Sequence, residues 1–355
     1  AESVMRRSQC VGKQATRQWE RQAPARRDGR FQLVPACIAA IFQPLVAPTL
    51  DNLPPHRHRV YGLTVATWIP FPELESAPAD APVEAVFRLG EVPAELASPG
   101  FTGARFQAAP GRLLAWIDGV ARYLAVDGRK ILVQPEPGAI EGDLRALLLC
   151  SPMGGLLHQR GLLPLHASAI ATPRGAVVFM GNSGRGKSTL AAHFARRGFR
   201  VLADDIAVVR FNAEGKPLAE PGLPQFKLWP NSVSELGEAA DTLPRLRPQM
   251  EKRTLAFPGS FCREPLPLAR LYALEADNQS PDIHLFPQPV LDRVRLLLDH
   301  TYRAQYLPGL GIQKAHFQSL SRVAAAVPLV RVTRPDDGKF RLQELADKLA
   351  ADFSQ

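Results

Sequence analysis

The sequence predicts an α/β protein in which a small, mostly β region comes first and a larger unit of alternating strands and helices follows. Three observations predict it. Residues 58–158 hold short runs of β-branched and aromatic residues punctuated by Asp118-Gly119 and Asp127-Gly128. Asp-Gly between alternating runs marks a hairpin, because glycine takes positive φ at low cost. Residues 159–355 alternate strand-length apolar runs with helix-length stretches. Within this second part an apolar run, Ala176 to Met180, opens directly onto Gly181-Asn182-Ser183-Gly184-Arg185-Gly186-Lys187-Ser188. That octapeptide matches G-x-x-x-x-G-K-[ST] in full.

Each element has its own reason. Arg59 to Ile69 is rich in β-branched and aromatic residues and reads as one strand. Val83 to Leu89 alternates as a half-buried strand does, and Leu113 to Ile117, Val120 to Val126 and Lys130 to Val133 are short strands between turns. A single helix is expected from Glu141 to His158. In the second part, Ala176 to Met180 is a buried strand, and Lys187 to Arg197 is a helix that stops at Gly198, where a C-terminal cap belongs. Arg200 to Asp205 is the next strand. Ala207 to Phe211 begins a hairpin that turns over Asn212 to Gly215. Further helices are expected near 290–304, 313–326 and 341–353, with a strand at Leu329 to Val332. Residues 1–57 read as a basic, proline-punctuated and disordered arm.

Composition narrows the class. The 355 residues are 46% apolar and 22% charged, enough to bury a sizeable core. The net charge of +9 is concentrated at the start, since residues 1–60 hold ten Lys/Arg against four Asp/Glu. A basic arm alone does not indicate nucleic acid, and no zinc-finger spacing, recognition-helix pattern or aromatic-basic interleaving accompanies it. Cysteines at 10, 37, 150 and 262 form no C-x-x-C pair, which argues against a disulfide framework or zinc site and for a reducing, cytoplasmic setting. No secretory signal is evident. Phe31 to Leu50 is apolar but broken by Pro35, Pro44 and Pro48, so no membrane-spanning helix is expected.

The chemistry implied by residues 181–188 is specific. Phosphates need several donors at once. Gly181, Gly184 and Gly186 let the backbone curl so that its N–H groups, including those of Asn182, Ser183 and Arg185, approach an anion without a Cβ in the way. The helix that follows, with Thr189 in its first turn, presents its positive end to the same anion. Lys187 is expected to reach the β- and γ-phosphates of ATP, and Ser188 to place its hydroxyl on Mg²⁺. Seventeen residues after Lys187, the adjacent carboxylates Asp204 and Asp205 end a strand. At the carboxyl edge of a parallel sheet, one of the two can hold Mg²⁺ and the other can accept the proton of an attacking hydroxyl. Lys252, Arg253 and Lys227 are candidate phosphate or substrate contacts, and each is equally an ordinary surface residue by pattern alone. His166 stands ten residues before the strand that leads into the loop.

His166, the Gly181 to Ser188 loop and Ala203-Asp204-Asp205, with Arg197-Gly198-Phe199-Arg200-Val201-Leu202 between the last two, resemble the HPr kinase/phosphorylase family over roughly residues 160–210. That resemblance implies a kinase core related to ATP-using phosphoenolpyruvate carboxykinases and γ-phosphoryl transfer to a serine. It also implies that Lys187 binds phosphate, Ser188 binds Mg²⁺, Asp205 takes the hydroxyl proton, Asp204 supports it and His166 assists. Members of the family form homo-oligomers. The family's Glu-Ile-Arg-Gly signature has no counterpart here, where the comparable region reads Pro221-Gly222-Leu223-Pro224-Gln225-Phe226-Lys227-Leu228-Trp229. The second metal ligand and the phosphorylase half of the activity are therefore not carried over. Leu157 to Gly161 and Lys227-Leu228-Trp229-Pro230 make the chain more similar to divergent HPr-kinase-related proteins, some of which phosphorylate ribosomally made peptides, lasso peptides among them. The expected acceptor is thus a serine of a peptide or protein. A small-molecule or carboxykinase-like kinase and an ATP-binding regulatory module stand as alternatives.

Overall fold

The computed structural model of the chain describes residues 53–247, 250–277, 279–337 and 341–354, so most of the expected arm, residues 1–57, lies outside it. The first sheet is made of β1 (His56–Val60), β2 (Leu63–Thr67), β3 (Glu75–Ser76), β4 (Ala85–Leu89), β5 (Phe101–Gly103), β6 (Phe106–Ala109), β7 (Arg112–Ile117), β8 (Ala121–Val126) and β9 (Lys130–Pro135). Its order is β3-β1-β2-β4-β9-β8-β7-β6-β5. The two Asp-Gly pairs turn the chain between β7, β8 and β9.

The expected single strand from Arg59 to Ile69 is instead a hairpin. Val60 pairs with Leu63, and Tyr61 and Gly62 between them both take positive φ, at 54° and 75°. Two central residues with positive φ match the twist of antiparallel strands. An aromatic in the first of these positions hides the turn from sequence patterning. Tyr61 donates its backbone N–H to the Pro221 carbonyl at 2.8 Å, so the hairpin tip docks beside the second sheet.

The expected helix from Glu141 to His158 is two helices, α1 (Glu141–Leu148) and α2 (Ser151–Gln159). Pro152 explains the break: it has no N–H to give to the carbonyl four residues back and is accepted only in a first turn, where it stands here. Helix α2 is buried from Pro152 to His158 and helps close a core that joins the first sheet to Ile206, Val208, Tyr302 and Leu310.

The second sheet contains β10 (Leu163–Leu165), β11 (Ala167–Thr172), β12 (Gly175–Met180), β13 (Arg200–Ala203), β14 (Ala207–Phe211), β15 (Pro217–Glu220), β18 (Leu266–Ala276), β19 (His284–Pro287) and β20 (Leu329–Arg334), while β16 (Gln225–Leu228) and β17 (Arg253–Ala256) form a separate two-stranded ribbon. The helices of this half are α3 (Lys187–Arg196), α4 (Pro230–Glu235), α5 (Val290–Asp299), α6 (Leu307–Leu310), α7 (Gln313–Ala326) and α8 (Leu342–Ser354). Strands β12, β18 and β20 are parallel neighbours. Strand β11 runs antiparallel to both β12 and β13, so β13 points the same way as β12. Apolar residues of α3 and α8 cover one face and those of α5 and α7 the other. Burial on both faces explains why β12 is apolar throughout rather than alternating. The protein is a mixed α/β structure with large mixed sheets. No helix among the described residues is long and apolar enough to cross a membrane.

Candidate active site

The polarity of β12 and β13 places two loops at one sheet edge. One is the 181–188 loop and the other carries Asp204 and Asp205. The start of β11, with His166 and Ser168, lies between them, because Ala167 pairs with Met180 and Ala169 pairs with Ala203. A cleft of about 540 Å³ opens here, lined by Ser183, Gly186, Lys187 and Ser188 on one side and His166, Asp205 and Lys227 on the other.

The glycines of the loop are needed for its path. Gly184 and Gly186 have φ of 85° and 78°, which L side chains rarely adopt. A Cβ at Gly181 would lie 2.8 Å from the Leu274 carbonyl oxygen of the neighbouring strand. No side chain caps the N-terminus of α3, so its first N–H groups remain available to an anion. Lys187 folds back over the loop and donates from Nζ to the carbonyls of Gly181 at 2.7 Å and Asn182 at 3.2 Å. Burial pulls its ammonium pKa down to about 8, against the raising influence of Asp204 and Asp205.

Asp204 is 1% exposed and fully tied. Ser168 Oγ donates to its Oδ1 at 2.6 Å, and the Lys227 N–H donates to its Oδ2 at 2.9 Å. Asp205 faces the cleft with a positive φ of 69°. Such a conformation is uncommon for a residue with a Cβ, and its strain is held by surrounding contacts. Lys227 Nζ meets Asp205 Oδ2 at 2.9 Å, and His166 Nδ1 lies 3.6 Å from Oδ1. Burial alone would push the Asp205 carboxyl up, but Lys227, then His166 and Lys252, outweigh it and hold the group well below the usual carboxylate range. Burial would lower the Lys227 ammonium, yet Asp205 raises it well above its ordinary value.

His166 Nδ1 is 3.1 Å from the Asp205 backbone carbonyl, which can only accept. Burial and the Lys187 ammonium lower the imidazole pKa, with Asp205 opposing, so the ring is neutral at pH 7. Its proton therefore sits on Nδ1, and Nε2 keeps a lone pair.

Other sequence candidates fall elsewhere. Lys252 lines the cleft with its Nζ 5.3 Å from the centre of the Trp229 ring, and Trp229 is 42% exposed at the rim. Asn182 and Arg185 face a different depression, of about 490 Å³, beside Glu275, Asp299 and His300, and Arg185 pairs with Asp336 at 2.9 Å. Arg253 is turned inward, donating to the carbonyls of Ala240 at 2.8 Å and Glu251 at 3.2 Å. Three groups escaped the sequence reading. Ser168 stands second in β11, two residues after His166, which lies in the bend between β10 and β11. Neither Trp229 nor Cys150 stood out as a site residue in the sequence; Cys150 lies at the α1–α2 break with its Sγ 3.4 Å from Lys227 Nζ.

Among the described residues, no three His, Cys, Asp or Glu side chains gather into a metal cage. Magnesium in phosphoryl-transfer sites is commonly held by one or two protein oxygens with substrate phosphates and water. Ser188 and Asp205 line the cleft and fit that sparse mode, while Asp204 is buried and does not line it.

No protein-family model and no curated protein sequence matches this chain. The HPr(Ser) kinase/phosphatase from Coxiella burnetii is a structural neighbour at a TM-score of 0.28 and 10% identity, covering 53% of this chain and 89% of that one. A likeness at that level carries no argument about activity.

Proposed function

We propose that the protein is an ATP-dependent kinase that transfers the γ-phosphoryl group to a hydroxyl, the serine of a peptide or protein. One observation supports this reading: the glycine-bearing loop at the start of α3 and the Asp205 carboxylate line a single cleft. The loop N–H groups and Lys187 bind the β- and γ-phosphates. Ser188 would hold Mg²⁺, and Asp204, both of whose oxygens already accept hydrogen bonds, would serve it only indirectly. When bound, the ion neutralises charge on the phosphates. Asp205 Oδ1 accepts the hydroxyl proton. The hydroxyl oxygen bonds to the γ-phosphorus, and the bond to the bridging oxygen breaks with its electron pair on ADP. His166 donates from Nδ1 to the Asp205 backbone carbonyl and so steadies the turn that carries the carboxylate. The choice of a peptide or protein serine rests on the sequence resemblance to HPr-kinase-related proteins.

The test is transfer of label from γ-labelled ATP with Mg²⁺ to peptides encoded beside the gene and to a cell lysate, with Lys187→Ala as control. Label on a polypeptide that is absent with the variant is the expected result. Label found only on a metabolite or as free phosphate would refute the polypeptide acceptor.

A further inference from the structure

Lys227 was a candidate substrate contact by sequence, yet its bonds point elsewhere. Its backbone N–H holds Asp204 Oδ2 at 2.9 Å and its ammonium holds Asp205 Oδ2 at 2.9 Å. We propose that Lys227 is the positioning residue of the carboxylate pair, setting Asp204 and Asp205 at a fixed spacing and leaving Asp205 Oδ1 as the oxygen that meets the acceptor. This rests on the phosphotransferase reading above.

The geometry supports a dedicated tether. Two consecutive residues after a strand would ordinarily send their side chains in different directions. Here the positive φ of Asp205 turns the backbone, and a single residue of β16 then grips both carboxylates. Strand β16 belongs to a ribbon whose partner is β17, outside the main sheet, so the grip comes from an element distinct from the strands that carry the loop and the aspartates. The ammonium is buried and further fixed by Cys150 Sγ at 3.4 Å, which limits the freedom of a side chain otherwise flexible in its four-carbon stem. Asp205 Oδ2 is thereby occupied. Oδ1, 3.6 Å from His166 Nδ1, is the oxygen that accepts no hydrogen bond from the described residues. A residue acting in this way affects turnover through Asp205 and leaves nucleotide capture, made by the 181–188 loop, largely intact.

The experiment is a double-mutant cycle on the full chain with Lys227→Met, Asp205→Asn and the pair together. It reads kcat and KM for transfer, together with the Kd for ATP. If Lys227 works through Asp205, Lys227→Met lowers kcat about 100-fold with the ATP Kd within about threefold, and the double variant is no slower than Asp205→Asn alone, within about threefold. Lys227→Arg, which keeps the charge but replaces the compact ammonium with a planar guanidinium, recovers part of the lost kcat. A Lys227→Met enzyme with kcat within about threefold of the parent overturns the proposal, as does a double variant whose losses multiply. If the single variant does not fold, the double variant, in which both charges are gone, decides against Asp205→Asn. A parent enzyme that turns over while Lys227→Met also does defeats this inference alone. A parent that transfers nothing defeats the kinase reading, and this inference with it.

Discussion

Replacing Asp205 with Asn separates the parts of the site more cleanly than any other single change. The amide keeps the shape of the side chain and removes its charge. General-base assistance typically contributes 10²–10⁴ in rate, or about 3–5 kcal/mol of barrier. Asn cannot take the hydroxyl proton at Oδ1, so that full factor is expected to vanish from kcat. The same change strips Lys227 of its partner at 2.9 Å. Removing one member of a fully buried pair costs about 3–5 kcal/mol. The Asp205 side chain is 17% exposed, and water reaching it brings the expected loss of folding stability to roughly 2–3 kcal/mol. The loop donors and Lys187 lie across the cleft, so the ATP Kd is expected to change by no more than about threefold. The assay pairs single-turnover transfer with nucleotide titration and a denaturant melt. Transfer within about threefold of the parent would refute the assignment of Asp205 as the base. A loss of ATP affinity matching the loss of rate would refute the division between loop and carboxylates.

Two further predictions concern the scaffold. Arg253→Ala removes hydrogen bonds to the carbonyls of Ala240 and Glu251 at a residue that is 5% exposed. A denaturant melt is expected to show a loss of about 2–4 kcal/mol, with kcat unchanged in the folded fraction; a specific loss of ATP affinity would place Arg253 at the phosphates instead. His158 Nε2 donates to the Tyr302 carbonyl at 2.7 Å and His316 lies 3.0 Å from Thr301 Oγ1, so both brace the segment after α5. Burial lowers both pKa values to about 4, from an ordinary 6.5. A depressed folded pKa means that the unfolded chain binds more protons in this range. The stability is therefore fully present above pH 6.5 and is lost as pH falls toward 4, by roughly 2–4 kcal/mol for each group. Unfolding free energies measured from pH 7 to pH 4 are expected to show this slope, flattened in His158→Gln, and an equal slope in that variant would contradict the assignment.

The legible parts of the molecule were those in which local chemistry and the final structure agree. The run from Ala176 into Gly181 to Ser188 and then a helix is specified by glycines, a lysine and a strand buried on both faces, all visible in one dimension. The Asp-Gly turns between β7, β8 and β9 were legible for the same reason. Strand β18 was not: Leu266–Ala276 is mostly Leu, Ala, Arg and Glu, residues that favour helices, and pairing with β12, β15 and β20 makes it a strand. The Tyr61-Gly62 turn lacks an Asn or Asp to announce it, and its positive φ at tyrosine is held by docking at Pro221. The break at Pro152 was visible as a proline, but its reading as a helix start needs α2 buried between other elements. Spacing from the loop pointed to Asp204 and Asp205 as candidates. Lys227 alternates with Phe226 and Leu228, and alternation says only that it faces away from them. That it faces two carboxylates 22 and 23 residues earlier depends on the placement of the β16–β17 ribbon.

The central claim is that one cleft joins a phosphate-gripping loop to a proton acceptor for phosphoryl transfer. The most direct test incubates the purified chain with γ-labelled ATP, Mg²⁺ and candidate polypeptide acceptors, and counts acid-stable label on serine beside a Lys187→Ala control. Label on a polypeptide serine with the parent and none with the variant is the expected result. Equal labelling by both proteins, or ATP bound by the parent with no label transferred to any acceptor, would contradict it.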